Sequence, residues 1–201
     1  GAFLKSTNDG QTFTDLTSYS HPDDASYRDL HRLVIKPDDP DKLVVVTGVG
    51  IYRSEDAGQS YEQLTRRGEQ MGYPDFAFLD PTDDTIIYSG GSELNPRAWY
   101  DSGMAKSSVM RSDDNGDSWV TLGNGLPNPM VGAIEGMTQH VWDGGMMLLA
   151  GTATGEIYAT EDKGASWQLL TDQATPVSKE DHHIPFISEE IRRETLAARG
   201  D

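Results

Sequence analysis

The chain contains no cysteine, so neither a disulfide framework nor a thiolate metal centre nor a cysteine nucleophile enters into its function. Positive charge is scarce: 16 Lys and Arg stand against 33 Asp and Glu, a net charge of −17. Nucleic acid is thereby an unexpected partner, because binding phosphates requires a basic face that releases counterions. Long apolar runs are missing as well. The longest, around residues 43–46 and 146–150, are the length of a strand and far short of the roughly 18 to 20 residues of a membrane helix, so no membrane insertion is expected. The first thirteen residues have neither a basic start nor an apolar stretch, and nothing in them reads as a secretory leader. The acidic residues are spread along the chain, which suits a folded acidic surface better than a disordered tail.

What the sequence does have is repetition. The octet Ser/Thr-x-Asp/Asn-x-Gly-x-Ser/Thr-aromatic occurs at residues 6–13, 54–61, 112–119 and 160–167. Background usage gives one such match a probability on the order of 10⁻⁵ per position, so four are not accidental. The starts lie 48, 58 and 48 residues apart, and the longer interval holds an insertion at 93–107 with no counterpart elsewhere.

The octet has the chemistry of a hairpin turn. Its Asn8, Asp56, Asp114 or Asp162 can accept backbone amides, and its Gly10, Gly58, Gly116 or Gly164 admits a positive φ. The aromatic residue (Phe13, Tyr61, Trp119 or Trp167) is expected to open the return strand and anchor packing. Around each octet the same four strand-like segments recur. They are 27–36, 43–48, 50–53 and 60–64, then 73–79, 85–89, 108–111 and 118–122, then 131–141, 146–150, 156–159 and 166–170. Turns at 37–42 and 80–84 join first to second strands. This predicts an all-β propeller of four-stranded antiparallel blades. Residues 1–6 align with residues 50–54, a third strand, so the chain is expected to open halfway through a blade and to hold about three and a half blades over residues 1–172. Residues 173–201 form a C-terminal extension in which Ser188 caps a short predicted helix.

The octets resemble Asp-boxes, and the chain is similar to the Asp-box (BNR) repeat β-propellers, a superfamily that includes sialidases, xyloglucan-cleaving glycosidases, sortilin-type receptors and photosystem-assembly factors. The resemblance implies fold rather than activity, since enzymes, receptors and chaperones share the boxes. It also implies that sites lie on the rim opposite the boxes, which would gather 18–26, 65–72, 93–107, 123–130 and 172–186. A half-complete ring leaves open sheet edges, so either a longer chain supplies further blades or a second copy closes the ring. An extracytoplasmic setting, secreted or periplasmic, is favoured.

Two sets of residues are candidates for function. The insertion carries Arg97, Trp99, Tyr100 and Asp101, a loop surface suited to stacking on sugar or anchoring a protein; the alternative is that Trp99 folds back to cover a gap. The starts of the innermost strands supply Arg28, Asp29, His31, Asp75 and Glu135. Carboxylates converging there would serve as the acid and base of a glycoside hydrolase, and polar residues lining a wet channel are the competing explanation. The sialidase signature is missing, because His183-Ile184-Pro185-Phe186 lacks the arginine it would need. Asp113-x-Asn115-x-Asp117 imitates the opening of a calcium loop but has Ser118 and Asn124 where Gly and Glu belong, and Asp181-His182-His183 has no third ligand at a fixed spacing. Neither a metal nor a cofactor is expected. The leading expectation is a noncatalytic binding or assembly propeller with a protein or glycan partner; the other is a glycoside hydrolase using Asp75, Asp29 or Glu135.

Overall fold

A computed structural model of the chain describes residues 2–16, 29–179 and 182–186. The predicted first-strand start at Tyr27, the loop 18–26, Arg28, Asp181 and the Ser188 helix lie outside these residues. The strands are β1 (Leu4–Lys5), β2 (Thr14–Asp15), β3 (Leu30–Lys36), β4 (Asp39–Thr47), β5 (Gly50–Ser54), β6 (Glu62–Gln63), β7 (Tyr73–Leu79), β8 (Ile87–Ser92), β9 (Ser107–Ser112), β10 (Val120–Leu122), β11 (Ile134–Trp142), β12 (Gly145–Thr152), β13 (Ile157–Thr160) and β14 (Gln168–Thr171). One helix, α1 (Pro96–Ser102), and a single 3₁₀ turn (Ile184–Phe186) accompany them among the described residues. The strands form a two-stranded sheet, β1-β2, and three four-stranded antiparallel meanders, β3 to β6, β7 to β10 and β11 to β14. The chain divides into two compact units, Gly1–Glu93 with Ser108–Leu122, and Leu94–Ser107 with Gly123–Asp201.

In the first unit the apolar run of β4 is buried on both faces, because a neighbouring sheet lies against each. Leu43 and Val45 pack with Phe3, Leu16 and Tyr52. Val44 and Val46 point the other way, to Ile51, Met71, Ala77 and Ile87. Ile51 is fully buried, so truncating it to Ala costs about 2 to 5 kcal/mol.

Each octet is closed by one hydrogen-bond pattern. Ser54 Oγ donates to Asp56 Oδ1 at 2.9 Å and accepts the Gly58 N–H at 2.9 Å. Asp56 Oδ1 accepts the Ser60 N–H at 2.8 Å, and Oδ2 accepts the Ser60 hydroxyl at 2.6 Å. Asp114 and Asp162 repeat this with Ser112 and Ser118, and with Thr160 and Ser166. In the first octet the polarity of one bond reverses, since Asn8 Nδ2 donates to Thr12 Oγ1 at 2.8 Å. These bonds hold the Asp56 and Asp114 carboxyls below the usual carboxylate range, and Asp162 at about 2. The glycine φ is positive in all four turns, as expected; the preceding residue, Asp9, Ala57, Asn115 or Lys163, is also left-handed, at φ 55 to 60. That second positive φ makes the turn a pair of left-handed residues and carries no sequence signal in Ala57 or Lys163.

Three expectations are corrected. Each return strand begins one residue after the aromatic position, at Thr14, Glu62, Val120 and Gln168. Phe13 is 60% exposed, because its two-stranded sheet offers no broad face to cover it, whereas Trp167 is buried. The turn predicted over 37–42 closes instead at residues 37–38, where Lys36 pairs with Asp39 across an irregularity and β4 continues through Pro40.

The first strand of each four-stranded sheet carries a bulge. Pairing jumps between Leu30 and Arg32, between Pro74 and Phe76, and between Ile134 and Gly136. The residues left over are His31, Asp75 and Glu135. A bulge takes its extra residue out of the ladder and re-aims the side chain.

Candidate binding site

In the first unit the bulges of β3 and β7 bring His31, Asp75 and Asp29 together. His31 Nδ1 donates to Pro74 O at 2.6 Å and lies 3.6 Å from Asp75 Oδ1, while Nε2 faces Asp29 Oδ2 at 3.2 Å. A carbonyl and a carboxylate both only accept, so the arrangement is best matched by a proton on each ring nitrogen and favours the charged form of His31. Burial alone would lower its pKa; the bond to Asp29, the charge of Asp75 and the Pro74 carbonyl outweigh burial and raise it. Tyr73 packs edge-on to the ring, with centroids 4.9 Å apart. Side-chain exposure is 10% for His31 and 1% for Asp75 against 53% for Asp29, so the cluster meets solvent through Asp29.

Glycine makes room for this arrangement. A Cβ on Gly48 would sit 2.8 Å from Asp29 Oδ2, and one on Gly91 would sit 2.5 Å from the Pro74 Cα. The second of these collisions is with backbone beside the Asp75 bulge, where nothing can swing aside.

Glu135, the third bulge residue, belongs to the second unit and has partners of its own. Its Oε2 accepts the Lys179 N–H at 2.9 Å and lies 3.0 Å from His182 Nδ1, and its side chain is fully buried. Burial opposes ionisation, but the bonds from His182 and Lys179 prevail and lower its pKa. The His182 ring stands edge-on to Trp99, 5.7 Å between centroids. Both units thus hold a bulge carboxylate, a histidine presenting Nδ1 to it, and an aromatic ring against that histidine. The sequence offers His182 only as part of a run without a third metal ligand, and its role was hidden because its partner Glu135 lies 47 residues away.

The insertion differs from its sequence reading. It forms α1 rather than a loop, with Asn95 at the N-cap, Pro96 in the first turn and left-handed Gly103 ending it through its N–H to Trp99 O. The order Asn-Pro to Gly was a legible helix signal. Trp99 is fully buried, its Nε1 donating to Leu94 O at 2.8 Å and its ring beside Phe186. It is therefore a packing residue and not a surface aromatic; Arg97, Tyr100 and Asp101 are exposed. The calcium-like aspartates are engaged elsewhere, Asp113 with Arg111 at 2.6 Å and Asp117 with Arg53 at 2.9 Å. No described helix is long and apolar enough to cross a membrane.

No protein-family model matches the chain, and no curated protein matches it. Among solved structures it is similar to the GH74 enzyme of Niastella koreensis, with a TM-score of 0.53 and 18% identity over 85% of this chain and 26% of that one. It is similar to the GH74 xyloglucanase from Xanthomonas campestris, with a TM-score of 0.53 and 21% identity over 89% of this chain and 27% of that one. It is also similar to YCF48 bound to D1 peptide, with a TM-score of 0.52 and 14% identity over 83% of this chain and 46% of that one. These are β-propeller proteins, and at such identities the likeness speaks for fold alone. The chain spans about a quarter of the length of the two GH74 enzymes.

Proposed function

We propose that this chain is part of an Asp-box β-propeller and serves as a noncatalytic binding module, with the rim around Asp29, His31 and Asp75 facing a protein partner. The observation that carries this reading is that the candidate carboxylates are already committed. Asp75 is buried against His31, Asp29 is held by the same ring, and Glu135 has its pKa lowered, whereas a general acid needs a raised pKa and the buried Asp75 lacks the access to water that a general base needs. Two carboxylates around one histidine ring leave a net negative charge that meets solvent through Asp29, which favours a partner segment bearing Lys, Arg or amide donors. YCF48 bound to D1 peptide is an example of a peptide partner on a similar fold.

The competing reading, glycoside hydrolysis with Asp75 or Asp29, draws on the likeness to GH74 enzymes. One experiment separates the two. Incubation with xyloglucan and a panel of β-glucans should release no reducing ends; release that disappears in Asp75→Asn would replace the binding reading with the hydrolase.

A further inference from the structure

After β14 the chain turns back over its own sheet in a segment without regular secondary structure. Ala174 donates its N–H to Gly155 O at 3.1 Å, Val177 to Thr152 O at 3.0 Å, and Lys179 to Glu135 Oε2 at 2.9 Å. When a sheet receives a peptide, main-chain hydrogen bonds give affinity and side-chain slots add the selectivity.

The slot here is made of glycine. A Cβ on Gly136 would lie 2.7 Å from Val177 Cγ1, one on Gly151 would lie 2.9 Å from Val177 Cγ2, and one on Gly155 would lie 2.5 Å from Ala174 O. All three are cleared for the same short segment. The segment itself is only half-buried or exposed at each position from 172 to 179. Beneath it Glu135 is fully buried, yet its Oε1 meets no hydrogen-bond donor among the described residues, while Oε2 is met by the segment's Lys179 N–H and by His182. A buried carboxylate oxygen left over marks a seat able to hold a ligand with one more donor.

We propose that the mouth of β11 and β12 is a peptide-binding groove, occupied in cis by residues 174–179, which takes in trans a peptide of the same chemistry: a β-branched side chain for the Gly136–Gly151 slot, followed two residues on by a backbone or side-chain donor for Glu135. The segment is a built-in competitor. Tethered to its seat it has an effective concentration of the order of millimolar, which suppresses weaker peptides and yields to stronger ones.

The test uses a fluorescein-labelled peptide of residues 172–179 and the full chain, read by anisotropy. Val177→Asp in the chain ejects the segment while leaving the groove, so this variant should bind the peptide at least about ten times more tightly than the unaltered chain. A peptide carrying the same Val→Asp change should not bind, and adding Gly151→Val to the variant chain should abolish binding. Equal affinity of variant and unaltered chains, or indifference to the Val→Asp peptide, overturns the proposal. Hydrogen exchange on the unaltered chain decides the matter even if the variant fails to fold. The Val177 and Lys179 amides should exchange at least about a hundred times faster than that of Leu148 in β12, as expected of local opening, and equal protection would make the segment a permanent part of the core. Because the probe is the chain's own sequence, this outcome is separate from that of any assay on the rim around His31.

Discussion

Arg53 reaches from β5 to the octet turn of the next sheet and pairs with Asp117, Nη1 to Oδ1 at 2.9 Å. The same nitrogen donates to the Asn115 carbonyl at 3.0 Å, while Nη2 holds Glu62 at 2.7 Å. Lys5, which precedes the first octet as Arg53 precedes the second, repeats the reach by donating to Ala57 O at 3.4 Å. Leucines do likewise on the apolar side: Leu16 lies where a Cβ on Gly58 would fall, and Leu64 where one on Gly116 would. Within the first unit, the second and third octets are thus joints between sheets as well as turns.

Replacing Arg53 with Met keeps the stem and removes the joint. We expect a loss of about 1 kcal/mol, modest because Glu62 and Asp117 are largely exposed and solvent screens them. Urea unfolding of Arg53→Met, Asp117→Asn and the double variant should give a coupling of about 0.5 kcal/mol; strict additivity would show that the pair has geometry without energetic weight.

Acid should act through the octets. Asp56, Asp114 and Asp162 have depressed pKa values in the folded chain, so their stabilisation is complete above their unfolded pKa and is lost as pH falls toward about 2, the value of Asp162. Asn8 shows that an amide fits the turn. The triple Asp→Asn variant should fold at neutral pH and show a flatter acid limb in circular dichroism than the unaltered chain.

His31 should act in the opposite direction. Its pKa is raised when folded, so its contribution is fully present below the unfolded value and is lost as pH rises through the folded one. Denaturation midpoints should fall on the alkaline side of about pH 6.5 in the unaltered chain, and His31→Gln should remove that part of the slope.

Trp99 and Tyr100 are neighbours with opposite fates. Trp99→Ala empties a fully buried site and should cost about 3 to 5 kcal/mol, while Tyr100→Ala, at a position 38% exposed, should stay within about 0.5 kcal/mol. Thermal melts of the two variants decide whether the insertion anchors the core through one ring and leaves the other for contact.

Strand number and sheet order were legible because the octet repeats and because strand-length apolar runs such as Leu43 to Val46 can only lie in sheets covered on both faces. The candidate positions Asp29, His31, Asp75 and Glu135 were legible for the same reason, as the repeat places them at the start of equivalent strands. Their partners were not. Pro74 contributes a carbonyl, Lys179 an amide and His182 a ring from 47 residues away, and a backbone donor or acceptor leaves no mark in composition. Trp99 was misplaced for a different reason: a Trp-Tyr pair in a polar insertion has no period, so the pattern does not say which ring turns inward.

The bulges give the first strand of each four-stranded sheet a position near its start that is exempt from the ladder. His31, Asp75 and Glu135 differ in charge, size and hydrogen-bonding sense, yet the strands around them keep the same register with their neighbours. A residue that owes nothing to pairing can be exchanged without disturbing the pairs on either side. Each repeat therefore carries a socket of constant geometry and interchangeable chemistry, and the specificity of such an array can drift one socket at a time while the architecture stays fixed.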